Sequence, residues 1–405
     1  MLAFLQSAAI YIVPFLLVLT LIVTVHELGH FLVARALGTK VDSFSIGFGR
    51  AIVRFQDKSG VDWKLGWIPL GGYVKFAGDD NAASVPDREA VEAFRREVVA
   101  NEGEGAASKY FHLKPVWQRA LIVAAGPVMN FVLAIAIFTV LFAAIGEQTV
   151  AARVQSVAEG PAKAAGFLPG DVIVGANGRP TPDVGDVRRV IALNADTPVK
   201  FQVKRGDQLI VLTATPVRGV VQDEIAGAQK IGVLRVSLGP SSQADLAFKR
   251  HSVPEAMGRA VQQTWNVLET TVTYLGRVIT GRESGDQLGG PLRIAKTSGA
   301  VAEQATKIEG GWELKALNLA IQLLSLAALL SIGIGFLNLL PVPVLDGGHL
   351  LFYAYEAVAR QPLGAEIQAV GYRVGLALLL GLMLFVTWND LQQLRVFQIL
   401  GGLFS

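Results

Sequence analysis

His26-Glu27-Leu28-Gly29-His30 forms an H-E-x-x-H motif. On an α-helix, positions i and i+4 share a face, so His26 and His30 can grip one metal ion. Glu27 sits about 100° round the same helix, within reach of a water held by that ion. The chemistry this permits is hydrolysis, with Glu27 as the general base. The competing reading is a His–Glu hydrogen-bonded pair steadying a helix bundle, which would need no second His one turn on. The setting favours chemistry, because residues 1–25 carry no charge. Ionisable groups inside so apolar a helix are expensive and need a partner or a cavity.

A catalytic zinc site usually takes three protein ligands and leaves one position for water. With five His and no Cys in the chain, the third ligand has to be a His or a carboxylate. The segment Asn338-Leu-Leu-Pro341-Val-Pro343-Val-Leu-Asp346-Gly347-Gly348-His349 supplies a candidate. Asp346 is the first charge after the uncharged run 316–345, and two prolines and two glycines break the helix beside it. Unwound backbone at membrane depth is tolerated only where it is buried or lines a wet cavity. Asp346 is the expected third ligand. A plain helix-ending Asp is the alternative, and His349 is the rival ligand. The expected cofactor is one Zn2+ per chain, although His and carboxylate ligands also suit iron or cobalt.

The elements that carry these residues are apolar. Of 405 residues 52% are hydrophobic and only 17% charged, against about 25% charged in an average soluble domain. A net charge of +3 with no basic stripe speaks against nucleic acid as a partner. A helix crossing ~30 Å of hydrocarbon needs ~20 apolar residues. Four stretches meet or approach that length, giving a first transmembrane helix within 1–37, a second at 119–146, a third at 315–350 and a fourth at 367–392. The first lacks the charged start and small-residue cleavage site of a signal peptide. The segment 38–119 holds twelve Lys and Arg, so it is expected on the cytoplasmic side, with 147–315 outside. The first and third spans both run inward, which brings His30 and Asp346 to one depth.

Between the spans, 38–118 reads as a cytoplasmic segment of membrane-associated strands (Val41–Phe48, Ala51–Phe55, Trp63–Ile68, Tyr73–Phe76) followed by a polar stretch at 79–109, either a surface helix or a mobile loop. Residues 241–314 read as amphipathic helices and linker, on the membrane or packed under the preceding domain. A cytoplasmic loop is expected at 351–366 and a C-terminal tail at 393–405. The string from Pro161 to Gly178 gives an Ala-rich helix ending at Gly166, a Gly170-Asp171 turn, a Val/Ile strand and an Asn177-Gly178 hairpin turn. It resembles a bacterial, circularly permuted PDZ domain, expected over 147–240. Such domains bind peptides by strand addition. Ile231, Gly232 and Val233 are either its carboxylate-receiving loop or a plain terminal strand.

Taken together, H-E-L-G-H in a first span and N-x-x-P-x-x-x-L-D-G-G in a later one resemble the site-2 protease family of intramembrane zinc metalloproteases. The strings Gly126-Pro-Val-Met-Asn130-Phe131 and Leu288-Gly-Gly-Pro291-Leu-Arg-Ile-Ala295 also match family motifs. The expected fold class is a polytopic α-helical membrane protein of about four transmembrane helices. To these are added a re-entrant β-hairpin or small sheet on the cytoplasmic side and one extracytoplasmic α/β PDZ domain. The resemblance implies regulated intramembrane proteolysis of single-span membrane proteins in a bacterial inner membrane, after a first trimming cut, with a peptide or trimmed substrate end at the PDZ domain. By the same resemblance the β-loop around Gly71, Gly72, Tyr73 and Val74 holds the unwound substrate. Asn130 and Asn338 bond the substrate backbone or an oxyanion, or else hydrogen-bond between spans. The rival classes are a membrane-tethered PDZ scaffold without proteolysis and a metal transporter. The latter often shows a two-fold internal repeat, of which there is no sign.

Overall fold

The computed structural model describes residues 2–78, 88–223, 227–242, 245–281, 285 and 288–393. The expected tail beyond 393 and residues 79–87 of the polar stretch lie outside them. In chain order the elements are α1 (Leu2–Ala36), β1 (Val41–Gln56), β2 (Asp62–Phe76), α2 (Arg88–Glu102) and α3 (Val116–Ala144). Then come β3 (Glu147–Val150), β4 (Ala152–Val157), α4 (Pro161–Ala164), β5 (Val172–Ala176), β6 (Arg179–Pro180) and α5 (Val184–Leu193). Six strands follow: β7 (Val199–Arg205), β8 (Gln208–Ala214), β9 (Val217–Asp223), β10 (Gly227–Val233), β11 (Val236–Leu238) and β12 (Leu246–Lys249). The chain closes with α6 (Val253–Ile279), α7 (Pro291–Lys307), α8 (Trp312–Asn338), α9 (Asp346–Ala359) and α10 (Ala365–Gln393). Four helices, α1, α3, α8 and α10, are long and apolar enough to cross a membrane. With the small sheets they make a polytopic helical membrane protein. Contacts divide the described residues into two units, one within 1–137 and 290–390 and the other within 138–289 and 391–393.

In the first unit, α1 stops where glycine lets the backbone turn. Gly38 takes φ 71°, its N–H bonds Arg35 O, and the Thr39 N–H reaches back to Ala34 O, which satisfies two carbonyls that the helix end would leave open. The chain then enters β1 and β2, which fold into one sheet. One antiparallel ladder joins Val41–Ile46 to Gly72–Phe76, another joins Ala51–Gln56 to Asp62–Gly66, and pairs from Ser43↔Asp62 to Ile46↔Leu65 link the two. Phe31 of α1, Phe44 of β1 and Trp63 of β2 meet at ring separations of 4.7–5.4 Å. This apolar cluster fixes the sheet to the helix, and the Thr20 hydroxyl adds a hydrogen bond to Pro69 O at 3.0 Å.

Helix α8 ends at Asn338, and the chain turns sharply through 339–345 before α9 begins at Asp346. Two glycines make this turn possible. A Cβ at Gly347 would lie 2.3 Å from Leu340 O, and one at Gly348 would lie 2.4 Å from Val342 O. Val344 takes φ 144°, a costly conformation for a β-branched residue, two positions before Asp346. The expectation of a loop over 351–366 is corrected, because α9 continues to Ala359. Phe352 and Tyr353 are buried and Leu350 packs on the same cluster, while Leu351 faces outward. Arg119 anchors α9 through a buried 2.6 Å ion pair to Glu356 and lies 5.0 Å from the centre of the Tyr353 ring. Of the two options for the polar stretch 79–109, the helix holds over 88–102.

The second unit centres on a sheet of order β11-β4-β5-β7-β8, with β6 paired to β5. Alternate residues of its strands (Val154, Ile173, Val199, Phe201, Val203) fill one core with Phe167, Val187 and Leu234. The turns fall where the sequence places them. Gly166, Gly170, Asn177 and Gly178 all have positive φ. Of the two readings of Ile231, Gly232 and Val233, the strand holds. They belong to β10 and pair with Val217–Gly219 of β9. Gly232 meets α5 so closely that a Cβ would lie 2.2 Å from Ile191 O.

An ion pair closes this unit. Asp245, nearly buried, takes three hydrogen bonds of 2.7–3.0 Å from Arg153 and one of 2.8 Å from the Ser241 N–H. Arg153 first, and the backbone donors after it, hold the Asp245 carboxyl down at about 2. A carboxyl lowered on folding adds stability above its unfolded value of about 3.9 and loses it as pH falls through the folded value. Asp245→Asn is therefore expected to lower the melting temperature at pH 7. The gap to the wild type should narrow between about pH 4 and pH 2, as followed by circular dichroism melts of the full chain in detergent.

Candidate metal centre

The residues of the H-E-x-x-H motif and Asp346 meet in the first unit. His26 Nε2 lies 3.2 Å from His30 Nε2 and 3.1 Å from Asp346 Oδ2, and His30 Nε2 lies 3.6 Å from the same oxygen. Ligand atoms held 2.0–2.1 Å from a tetrahedral zinc stand about 3.3–3.4 Å apart, so the three observed edges match that polyhedron. The chemistry of the donor set agrees. Asp346 Oδ2 is buried with no hydrogen-bond partner, which costs free energy unless a cation takes the lone pair. His26, His30 and Asp346 are also the one group of three or more ligand-type side chains brought together among the described residues.

The imidazoles are held from behind by α3. The Ile122 carbonyl lies 2.9 Å from His30 Nδ1, so that nitrogen carries the proton and Nε2 is left free for a metal. Gly126 of α3 faces both rings. A Cβ there would lie 2.3 Å from His30 Nε2 and 2.8 Å from His26 Cε1. Gly29 lets α1 approach α3 in turn, since a Cβ there would lie 2.4 Å from Ala125 O. Glu27 is half-buried and accepts a hydrogen bond from the Val74 backbone N–H. Gly72 is the close neighbour on the same strand, where a Cβ would lie 3.3 Å from Glu27 Cγ.

The remaining expected site residues divide. Gly72 and Val74 stand at Glu27, and Asn130 stands at His26, 3.3 Å from Nδ1. Gly71 has φ 135° and presses on the Phe48 ring, on which Tyr73 stacks at 6.3 Å. Asn338 ends α8, half-buried, and its side chain makes no hydrogen bond to the described residues. The rival ligand His349 is turned toward α10, with its Nε2 3.3 Å from the Tyr372 hydroxyl.

Sequence reasoning did not assign Gly126, Ser331 or Gly335 any part in the site. Ser331 donates to the Asn130 carbonyl at 2.8 Å. A Cβ at Gly335 would lie 3.0 Å from Asn130 Cβ. Their signal is visible in hindsight. Ala327, Ser331 and Gly335 place a small residue every fourth position along an apolar helix, the pattern that lets two spans approach closely.

Comparison with known proteins agrees with this geometry. The sequence model of peptidase family M50 matches residues 14–382. The chain is 47% identical to Metalloprotease MmpA of Caulobacter vibrioides, over 98% of this chain and 99% of that one. It is 42% identical to a chain of Agrobacterium fabrum that bears the name of a zinc metalloprotease, over 95% and 96% of the two. A chain of Rhizobium meliloti with a name of the same kind is 40% identical over 95% of this chain. With a family match along most of the sequence and relatives this similar from end to end, the chain belongs to peptidase family M50, the site-2 proteases, and is a membrane metalloprotease.

Proposed function

We propose that the protein is an intramembrane zinc endopeptidase that cuts the transmembrane segments of single-span membrane proteins in regulated intramembrane proteolysis, with His26, His30 and Asp346 holding one zinc ion and Glu27 as the catalytic base. The observation that carries this reading is the triangle of 3.1, 3.2 and 3.6 Å between two imidazole nitrogens and an otherwise unpartnered buried carboxylate oxygen. When bound, the metal polarises the scissile carbonyl and brings the pKa of water toward ~7. Glu27, oriented by the Val74 N–H, accepts the proton of the attacking water and returns it to the departing amine.

A peptide bond in a transmembrane helix is shielded, because its N–H and C=O are paired within the helix. Cleavage needs local unwinding into an extended strand. Segment 72–76 of β2 has its ladder partner on one side and Glu27 at Val74. A substrate strand laid along it by main-chain hydrogen bonds would bring its carbonyl to the base. Asn338, half-buried at the turn that leads to Asp346, is the candidate to bond the unwound backbone or an oxyanion. The second unit serves as an extracytoplasmic PDZ-type filter that admits a trimmed stump and excludes a large ectodomain. The six-stranded sheet with α4 and α5 supports that reading, as does the Pro161–Gly178 string. In this arrangement the metal centre lies near the cytoplasmic face of a bacterial inner membrane.

Three outcomes are expected. Glu27→Gln should retain zinc, measured by metal analysis of purified protein, and lower kcat by about 10²–10⁴-fold on a single-span substrate. Retained turnover would exclude Glu27 as the base. Gly126→Ala should push the imidazoles apart and weaken zinc binding by at least about 10-fold, read by competition with a chelator. Finally, a substrate with its whole ectodomain should be cut more slowly than a trimmed one. Equal rates with the second unit intact would remove the filter.

A further inference from the structure

Asn130 lies on α3 one turn beyond Gly126 and is completely buried. Its side-chain amide stands 3.3 Å from His26 Nδ1, with the amide nitrogen toward the ring and Oδ1 left without a hydrogen-bond partner. The two ends of an amide exchange by a half-turn of the side chain, so the chemistry of the neighbours decides which end faces the ring. His26 directs Nε2 at His30 and Asp346. A ring nitrogen that binds a metal carries no proton, so the proton of a neutral His26 resides on Nδ1. An Nδ1–H is a donor and cannot face an amide NH2. Turning the amide sets Oδ1 on Nδ1–H and gives the orphaned oxygen its partner.

We propose that Asn130 is a positioning residue whose Oδ1 accepts a hydrogen bond from His26 Nδ1–H, fixing the tautomer and ring orientation that leave Nε2 free for the metal. It is the counterpart of the Ile122 carbonyl behind His30, so one helix steadies both imidazoles. The amide is itself held in place. Ser331 of α8 donates to the Asn130 carbonyl at 2.8 Å, and Gly335 brings the α8 backbone against its Cβ. Complete burial behind the ring leaves the side chain no surface for substrate or an oxyanion, which removes the role expected of Asn130 from its motif. The proposal rests on His26 being a metal ligand.

The test is zinc affinity of the full-length protein in detergent, measured by competition with a chromophoric chelator for the wild type and for His26→Ala, Asn130→Leu and Asn130→Asp. The metal reading requires His26→Ala to lose binding; if it binds as the wild type does, that reading fails and the proposal with it. Given that loss, Asn130→Leu is expected to weaken binding by about 10–100-fold, the usual cost of losing the group behind a ligating His. Asn130→Asp keeps an acceptor of the same shape and is expected to bind at least as tightly as the wild type. Wild-type affinity in Asn130→Leu would overturn the proposal while leaving the metal site intact. An equal loss in Asn130→Asp would also overturn it, by reducing Asn130 to packing. Because the Asp variant is isosteric, its result stands even if the Leu variant fails to fold.

Discussion

The fold is organised around a buried concentration of lone pairs. His26, His30 and Asp346 point three donor atoms at one small volume, and without a cation that arrangement is unfavourable, because a buried carboxylate oxygen is left without a donor. Two distant stretches of chain must therefore be held together by the rest of the structure. Helix α1 supplies the two imidazoles from one face, and the first residue of α9 supplies the carboxylate. Packing around them has to resist the tendency of each polar group to find water instead.

Close backbone approach is the means by which this is done. Gly29 and Gly126 bring α1 and α3 together at the imidazoles, Gly335 brings α8 against α3, and Gly347 and Gly348 fold the 339–345 turn back onto α9. At each of these positions a methyl group would crowd backbone, a histidine ring or a neighbouring side chain. Apolar contacts between spans give little drive to association in lipid, where tails are as apolar as leucine. Fit between backbones takes over that task, and so the ligand geometry depends on residues that have no side chain at all.

Much of this could be read from the chain. The H-E-x-x-H spacing is a helical repeat, so the meeting of His26 and His30 needs no tertiary knowledge. Asp346 was visible as a charge ending a long uncharged run beside helix-breaking residues. Four spans followed from length and composition, and the turns at Gly166, Gly170 and Asn177-Gly178 followed from local φ requirements. What failed or stayed hidden depends on partners far away in sequence. The stretch 351–366 reads as a loop because its short apolar pattern gives no hint that Arg119 anchors a helix there as far as Ala359. Ile231–Val233 could be a loop or a strand until β9 was seen beside them. The hydrogen bond from Val74 to Glu27 involves a peptide group, and peptide groups are the same at every position.

That last contact has a consequence for how the protein tolerates change. The group steadying Glu27 is a main-chain N–H, so truncating the side chain at 74 leaves it in place, and alanine scanning would pass over one of the supports of that carboxylate. Among the natural amino acids, proline alone lacks the donor. The donor therefore survives every substitution but one, whatever the Val74 side chain contributes by packing on the Phe31–Phe44 cluster, and its part would go unnoticed in any survey that scores residues by side-chain identity.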